Sequence, residues 1–267
     1  MSIEKAVHLV LSVMPYRETS KIATLLSKRF GRVSGIAKGV RRSPHAPLTL
    51  ERGQIVELVL YVKPHRDLHT IGAISVVNYF PSIRADIGKL ALRDTCFELM
   101  LKSSTASESH GELFDFAEAF LTRLETLPPS PPLPVHELWA FFHGWAKLSG
   151  FLLNVRECVR CGHPRVSSEG GLLVMNRGGL VCSVCGGPGI DKTPSFLPGR
   201  ATSYLLGAEP DVPADTLAPG EQMRISRTLA DYCRYHLDIR SEFKSLPFLE
   251  SVLESTLENT LSSTLFT

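Results

Sequence analysis

The stretch Val7-His-Leu-Val-Leu-Ser-Val13 decides the fold of the N-terminal part, because this apolar, Val-rich run is typical of a β-strand. Four further runs of this kind follow, each separated from the next by Gly, Pro or charged residues: Ile22–Leu26, Arg32–Lys38, Ile55–Val62 and Thr70–Val77. Five short strands without a long helix predict a small β-barrel rather than a β-sandwich. A five-stranded oligonucleotide-binding (OB) barrel has the right number and length of strands, and an SH3-like barrel fits the pattern almost as well.

The hydrophobic pattern becomes helical after Pro81. Apolar residues between Leu113 and Leu124 recur at spacings of three and one, which predicts an amphipathic helix. Further helical stretches are expected at 83–102, 135–148, 223–239 and 245–257, with a stiff proline-rich break at Pro128–Pro134. We therefore predict an α+β fold, in which an OB barrel over residues 1–80 precedes an α-helical domain in two parts, 81–155 and 191–267. The Gly- and Cys-rich residues 156–190 form an insert between those parts.

The composition is that of a globular protein. The 267 residues are 43% hydrophobic and 21% charged, which excludes wholesale disorder. No apolar run approaches the roughly 18–20 residues that span a bilayer, so no membrane association is expected. The run Val7–Met14 lacks a small-residue cleavage site and is better explained as a core strand than as a signal peptide. We expect a cytoplasmic protein whose six cysteines are thiols or metal ligands.

The cysteine spacing predicts one structural zinc ion. Cys158-Val-Arg-Cys161 and Cys182-Ser-Val-Cys185 form two C-x2-C pairs that are twenty residues apart. Two such pairs supply a closed shell of four thiolates, and the strand-like segments 171–174 and 179–181 between them predict a zinc ribbon. The alternatives are two unrelated buried thiol pairs or a redox dithiol. Cys96 and Cys233 lie in apolar helical surroundings and are expected to be core residues.

Two enzymatic interpretations fit poorly. His110-Gly-Glu112 followed by a C-x2-C pair resembles the zinc deaminase pattern, but Glu157 stands where that pattern needs a proline before the cysteine. The glycine-rich segment Gly31–Gly39 lacks the G-x4-G-K-[ST] spacing of a phosphate-binding loop. We therefore expect that the protein is not an enzyme.

Positive charge is concentrated at the N-terminal end. Residues 1–80 contain twelve Lys or Arg and five Asp or Glu, a net charge of +7, whereas the remaining residues carry 17 basic and 22 acidic side chains, a net charge of −5. Eight of the basic residues lie between Arg17 and Arg42. A cationic strand-and-loop segment of this kind suits a nucleic-acid backbone, with Gly31, Gly35 and Gly39 keeping the main chain close to a ligand. The alternative is a charged hairpin that is merely solvated.

The same segment carries a resemblance to a known family. The stretch from Tyr16-Arg-Glu18 through Ile22-Ala-Thr-Leu-Leu26, and then Gly31-Arg-Val-Ser-Gly-Ile-Ala-Lys-Gly-Val-Arg-Arg42, closely resembles the bacterial RecO recombination mediators. The resemblance implies an OB barrel, a helical domain and, in some members, zinc-binding cysteines. It also implies binding of single- and double-stranded DNA, annealing of complementary strands, and cooperation with RecR and the single-strand-binding protein to load RecA, near the bacterial nucleoid.

Carried onto this chain, the resemblance names candidate site residues. The phosphate contacts it implies are Arg32, Lys38, Arg41 and Arg42, with Arg17, Lys21 and Arg29 in second rank. Trp139, Phe142, Trp145 and Lys147 lie in one predicted helix, together with Phe141. These rings are either core residues or a groove for the acidic tail of the single-strand-binding protein. The rival interpretation of the whole chain is a zinc-ribbon RNA-binding or ribosome-associated protein that uses the same barrel.

Overall fold

A computed structural model describes residues 2–42, 50–62, 66–104, 111–165, 169–187, 195–206 and 217–264, with side chains of the last segment to residue 255. The chain divides into two compact units. The first contains residues 1–85 and 100–127, and the second contains residues 86–99 and 128–267. This division assigns residues 100–127 to the barrel unit, and the four-part organisation that the sequence suggests stays a prediction.

The first unit contains five strands that form a closed barrel. The strands are β1 (Ser2–Tyr16), β2 (Ser20–Ser27), β3 (Gly31–Ala37), β4 (Ile55–Val62) and β5 (Leu68–Asn78). Their order around the barrel is β1-β2-β3-β5-β4, and β4 pairs with β1 to close it. All neighbours are antiparallel except β3 and β5, which are parallel. This order confirms the OB barrel and excludes the SH3-like alternative, because the OB fold has this five-stranded Greek-key arrangement.

Strand β1 is long because it belongs to both halves of the barrel. Its first half pairs with β4, from Ser2 opposite Val62 to Leu9 opposite Ile55. Its second half pairs with β2, and the register shifts between Val10 and Ser12. A β-bulge of this kind bends a strand and increases its twist, which lets one strand serve two neighbours.

The barrel interior follows the two-residue period of the strands. In β3 every second residue is buried, beginning with Gly31 and ending with Ala37. The barrel core comprises Val10, Ala23, Leu25, Val33, Ala37, Leu50, Val56, Leu58, Leu60 and Ile71. Backbone conformation and packing account for the three glycines of this segment. Gly31 and Gly39 have positive φ angles of 65° and 70°. A Cβ at Gly35 would lie 2.6 Å from the Ile71 side chain, so the packing of the barrel demands this glycine.

Helical residues complete the first unit. They are α1 (Pro81–Ala85), the last turn of α2 (Ile87–Ser103) and α3 (Gly111–Thr126). The Glu125 carboxylate of α3 accepts hydrogen bonds from the backbone N–H groups of Ser82 and Ile83 at 2.8 and 3.0 Å. It thus caps the first turn of α1. Lys28, at the end of the β2 hairpin, forms an ion pair of 2.7 Å with Asp115 of α3.

The second unit is built around an aromatic core. Its helices are the first part of α2, α4 (Val135–Leu148), α5 (Ser183–Gly186), α6 (Gly199–Leu206), α7 (Pro219–His236) and α8 (Leu246–Thr264). Helix α4 packs on α6 and α7. The Trp139 indole N–H donates to the Ser226 hydroxyl of α7 at 2.9 Å, which satisfies the polar atom of this buried ring. The bounds of α4 match the sequence prediction, whereas α6 was not predicted.

The ribbon of the second unit is a small three-stranded sheet. The strands are β6 (Gly171–Val174), β7 (Gly179–Val181) and β8 (Phe196–Leu197), in the order β7-β6-β8. Strands β6 and β7 form the predicted hairpin, and β8 adds a third strand that the sequence did not reveal. Among the described residues, no helix is both long and apolar enough to cross a membrane.

Candidate metal centre and nucleic-acid interface

The four predicted ligand cysteines come together in the second unit. The sulfur atoms of Cys158, Cys161, Cys182 and Cys185 all lie within 4.8 Å of one another. The Sγ atoms of Cys161 and Cys182 are 4.0 Å apart. A tetrahedral shell with metal–sulfur bonds of about 2.3 Å places its sulfurs roughly 3.8 Å apart, so the observed spacing fits a single metal ion. It is the one such cluster of His, Cys, Asp or Glu in the part of the chain that the structure describes.

Two tight turns position these cysteines. The N–H of Gly162 donates to the carbonyl of Cys158 at 2.8 Å, and the N–H of Gly186 donates to that of Cys182 at 2.9 Å. Gly162 and Gly187 have positive φ angles of 71° and 78°, which is the conformation that the glycines after each pair permit. The backbone N–H of Cys182 also points at the Cys158 sulfur, 3.3 Å away, and links the two turns.

The four sulfurs of the cluster differ in how readily they ionise. Burial opposes ionisation of Cys158, but N–H groups of Cys182, Cys161 and Arg160 outweigh it and lower the pKa of this thiol to about 6. Hydrogen bonds with the sulfurs of Cys161 and Cys182 raise the pKa of Cys185 to about 12. Without a cation the group therefore ionises at one sulfur and resists ionisation at another. The donor set, four thiols without a carboxylate or imidazole, suits a soft divalent metal.

Arg165 is a structural part of the ribbon. Its guanidinium is buried and donates to the carbonyl oxygens of Val181 at 3.1 Å and Glu169 at 2.9 Å. These bonds join the segment after the first turn to strand β7. Cys96 and Cys233 are fully buried, and burial raises the pKa of both thiols, in agreement with the prediction that they are core residues.

Four of the seven candidate cations gather at one end of the barrel, around the β1–β2 turn and the segment after β3. The group, here called the basic rim, consists of Arg17, Lys38, Arg41 and Arg42, all exposed. The Arg41 backbone N–H donates to the carbonyl of Thr19 at 3.0 Å, and its guanidinium donates to the carbonyl of Arg17 at 3.1 Å, which holds the two segments together. Among the described residues, the side chains of Lys38 and Arg42 make no ion pair.

The other three candidate cations already have protein partners. Lys21 forms an ion pair of 2.6 Å with Glu51, and Arg29 forms one of 2.9 Å with Glu4. The Arg32 guanidinium donates to the carbonyl of Leu101. Arg29 and Arg32 lie at the opposite end of the β2–β3 hairpin from the basic rim, about 20 Å away over six extended residues. These contacts already hold each of the three side chains within the protein.

The aromatic residues of α4 are core residues. Trp139, Phe142 and Trp145 are completely buried, as is Phe141, so their rings do not line a surface groove. Lys147 is exposed and lies on another face of the same helix. That face lines an open cavity of about 410 Å³ together with residues 152–156 and the end of α6. The sequence missed this face because its small residues, Ala140 and Gly144, carry no apolar signal.

The His110 of the deaminase-like pattern lies outside the described residues. Glu112 is exposed in the first turn of α3, in the barrel unit, whereas the four cysteines belong to the second unit.

Comparison with known families agrees with this architecture. The family model for the N-terminal part of recombination protein O matches residues 1–80, and the model for its C-terminal part matches residues 84–247. This chain belongs to the RecO family. Its RecO barrel is the unit that carries the basic rim, and its RecO C-terminal region contains the four cysteines and the aromatic core.

Whole proteins of the RecO family align along most of the chain. The DNA repair protein RecO of Anaeromyxobacter dehalogenans is 28% identical over 250 residues, which cover 90% of this chain and 94% of that protein. The DNA repair protein RecO of Prosthecochloris aestuarii is 28% identical over 244 residues, covering 86% and 90%. That of Syntrophus aciditrophicus is 26% identical over 250 residues, covering 91% and 93%.

Proposed function

We propose that this protein acts in DNA repair and homologous recombination, as a mediator of the RecFOR pathway. In this proposal it binds single- and double-stranded DNA, anneals complementary strands, and works with RecR to load RecA onto DNA coated with the single-strand-binding protein. The observation that carries the proposal is the basic rim on a closed OB barrel, in a chain that belongs to the RecO family. OB barrels bind nucleic acid through a cationic surface that follows the backbone.

Annealing requires no covalent chemistry, so the protein is proposed not to be an enzyme. Two strands repel each other through their phosphates, and each Lys or Arg that neutralises a phosphate lowers that repulsion. Lys38 and Arg42 are suited to this role because their side chains are exposed and form no ion pair among the described residues. Base pairing then supplies the free energy of annealing. The protein would carry out this work in the cytoplasm, at the nucleoid.

The four-cysteine cluster is proposed to hold one Zn²⁺ ion with a structural role. Four thiolates leave no open coordination position, so the ion would cross-link the two turns rather than bind a substrate. Cys158, which is buried, would anchor the ion to the body of the ribbon, and the exposed Cys161 would close its outer side.

The cavity beside α4 is the proposed site for the acidic tail of the single-strand-binding protein. Lys147 and Arg156 line it and supply positive charge, while Leu152 and Leu205 supply apolar surface. The tail is thus assigned to the accessible face of α4 and not to its buried rings, Trp139, Phe142 and Trp145, which lie on the opposite face. Lys147→Glu should weaken binding of an acidic, aromatic-ended peptide and leave binding of bare DNA unchanged.

A fluorescence annealing assay tests the proposed function. The protein, with no nucleotide added, should accelerate annealing of complementary oligonucleotides, both bare and coated with the single-strand-binding protein, and the acceleration should fall as salt rises. Gel shifts with DNA and RNA of one sequence separate this function from the RNA-binding rival. Unchanged or slower annealing on both kinds of strand would remove the mediator function. Recovery of RecR or the single-strand-binding protein from a bacterial lysate would support the partner assignment.

A further inference from the structure

Three exposed or half-buried rings form a cluster on the second unit, where the C-terminal end of α7 meets the turn of the ribbon hairpin. The cluster, here called the aromatic platform, consists of Phe151, Tyr235 and His236. The ring centroid of His236 is 5.3 Å from that of Phe151 and 5.0 Å from that of Tyr235. Tyr235 is 58% exposed and Phe151 is 39% exposed, so both rings offer surface to solvent.

His236 is the member of the platform that the surrounding structure holds in place. His236 Nε2 donates to the carbonyl oxygen of Met175 at 2.9 Å, which fixes its ring against the hairpin turn. The buried Tyr232 ring lies 4.3 Å from that of His236, and its hydroxyl donates to the carbonyl of Phe151 at 3.3 Å. His236 is therefore in place before any ligand arrives, and the rings of Phe151 and Tyr235 pack against it.

The hairpin turn that contacts the platform carries positive charge. The hairpin turn that holds His236 ends in Arg177, which is exposed and whose guanidinium donates to the carbonyl oxygen of Val159 at 3.4 Å, leaving its other N–H groups for a ligand. Segment 156–190 contains four Arg and two Glu, a net charge of +2, whereas the rest of residues 81–267 is strongly acidic. Asp238 and Arg240, which follow the platform in the chain, balance each other's charge.

We propose that the aromatic platform is a second binding site for single-stranded DNA, in which bases stack on Tyr235 and Phe151 and a phosphate lies against Arg177. Exposed rings together with a cation are what non-sequence-specific single-strand binding uses. The inference rests on the proposed function and deepens it. A mediator of annealing must engage two strands, and a site on each unit would allow one chain to hold both.

The decisive experiment compares DNA with and without bases. Fluorescence anisotropy with the full-length protein measures the affinity for an oligo-dT strand, for an abasic strand of the same length and for a duplex. Tyr235→Ala should weaken oligo-dT binding about tenfold, in the range of one base–aromatic stack, and leave the abasic strand and the duplex unaffected. Tyr235→Phe should retain the affinity, because it keeps the ring. Phe248→Ala removes a comparably exposed ring on α8 and is the matched control.

The possible results separate a failure of the aromatic platform as a DNA site from a failure of the proposed function. The measurements are repeated with Lys38→Ala/Arg42→Ala as background, so that the basic rim does not mask the second site. If Tyr235→Ala binds oligo-dT as the parent does on both backgrounds, the platform is not a DNA site. Equal weakening on base-bearing and abasic strands also overturns the inference, because the ring would then act only on the fold. If the unaltered protein binds none of the three ligands, the proposed function itself fails.

Discussion

Removal of two cations from the basic rim should change how DNA affinity depends on salt. The side chains of Lys38 and Arg42 are exposed and form no ion pair among the described residues, so Lys38→Ala/Arg42→Ala removes charge without leaving a partner unpaired. Each phosphate contact on a single strand releases about 0.7 counterion. If the protein neutralises roughly four to six phosphates, the log–log salt slope of the affinity is about −3 to −4, and the double variant should flatten it by about 1.4.

The affinity difference itself should depend on salt. A slope difference of about 1.4 corresponds to roughly 25-fold weaker binding at 0.1 M salt, and the two affinities should converge toward 1 M. The assay is fluorescence anisotropy with oligo-dT over a series of salt concentrations. The control is Lys5→Ala/Lys28→Ala, which removes the same charge from the same unit at residues paired with Glu57 and Asp115.

Two results would refute the reasoning. An unchanged slope for Lys38→Ala/Arg42→Ala would place the phosphate contacts outside the basic rim. An equal change in the control would mean that only the net charge of the unit matters. In both cases the position of the rim on the barrel would lose its significance for DNA binding.

Three further predictions concern metal, pH and packing. The protein purified under reducing conditions should contain about one zinc ion per chain, and its chelation should expose the amides of β6 and β7 to hydrogen exchange while β1–β5 stay protected; a metal-free preparation would refute the site. Burial, opposed by a hydrogen bond to the Ala6 carbonyl, lowers the pKa of His8 to about 4. The unfolded chain therefore binds a proton below about pH 6.5 that the folded barrel excludes, so about 2 kcal/mol of stability should be lost between pH 7.5 and pH 5. Urea unfolding of wild type and His8→Leu at several pH values tests this. If the stability of both proteins depends equally on pH, His8 is not the cause of the loss. Trp145→Ala should cost about 3–5 kcal/mol in the same assay, because the ring is completely buried, and should leave oligo-dT affinity unchanged once folded protein is selected.

Patterns that are local in the sequence predicted their structures well. Strands β4, β6 and β7 and helix α4 have the predicted bounds, because alternation, helical spacing and flanking Gly or Pro act within a few residues. The four cysteines could also be predicted as one cluster, since C-x2-C spacing restricts each pair to one turn. The two-residue strand β8 was missed, because so short a segment has no period of its own.

The partners of the cations could not be read from the sequence. Lys21 meets Glu51 across thirty residues, and Arg29 meets Glu4 across twenty-five, contacts that exist only once the barrel closes. Before folding, all seven candidate cations look alike. The structure separates the four exposed cations of the basic rim from the three whose side chains contact residues outside it. Likewise, the accessible face of α4 became visible only when packing on α6 and α7 showed which of its faces is buried.

The double pairing of β1 also governs the order in which this barrel can assemble. The β1–β2 and β2–β3 hairpins join neighbouring segments and can form as soon as residues 2–37 have been synthesised. Ser2 pairs with Val62, however, and β3 pairs with β5 at Leu68–Ile71. The β1–β4 and β3–β5 pairings that close the barrel therefore join segments separated by about thirty to sixty residues. Distant pairings of this kind slow folding because the loop entropy is lost before any contact is gained. During synthesis, the first half of β1 therefore has no partner strand until β4 has left the ribosome.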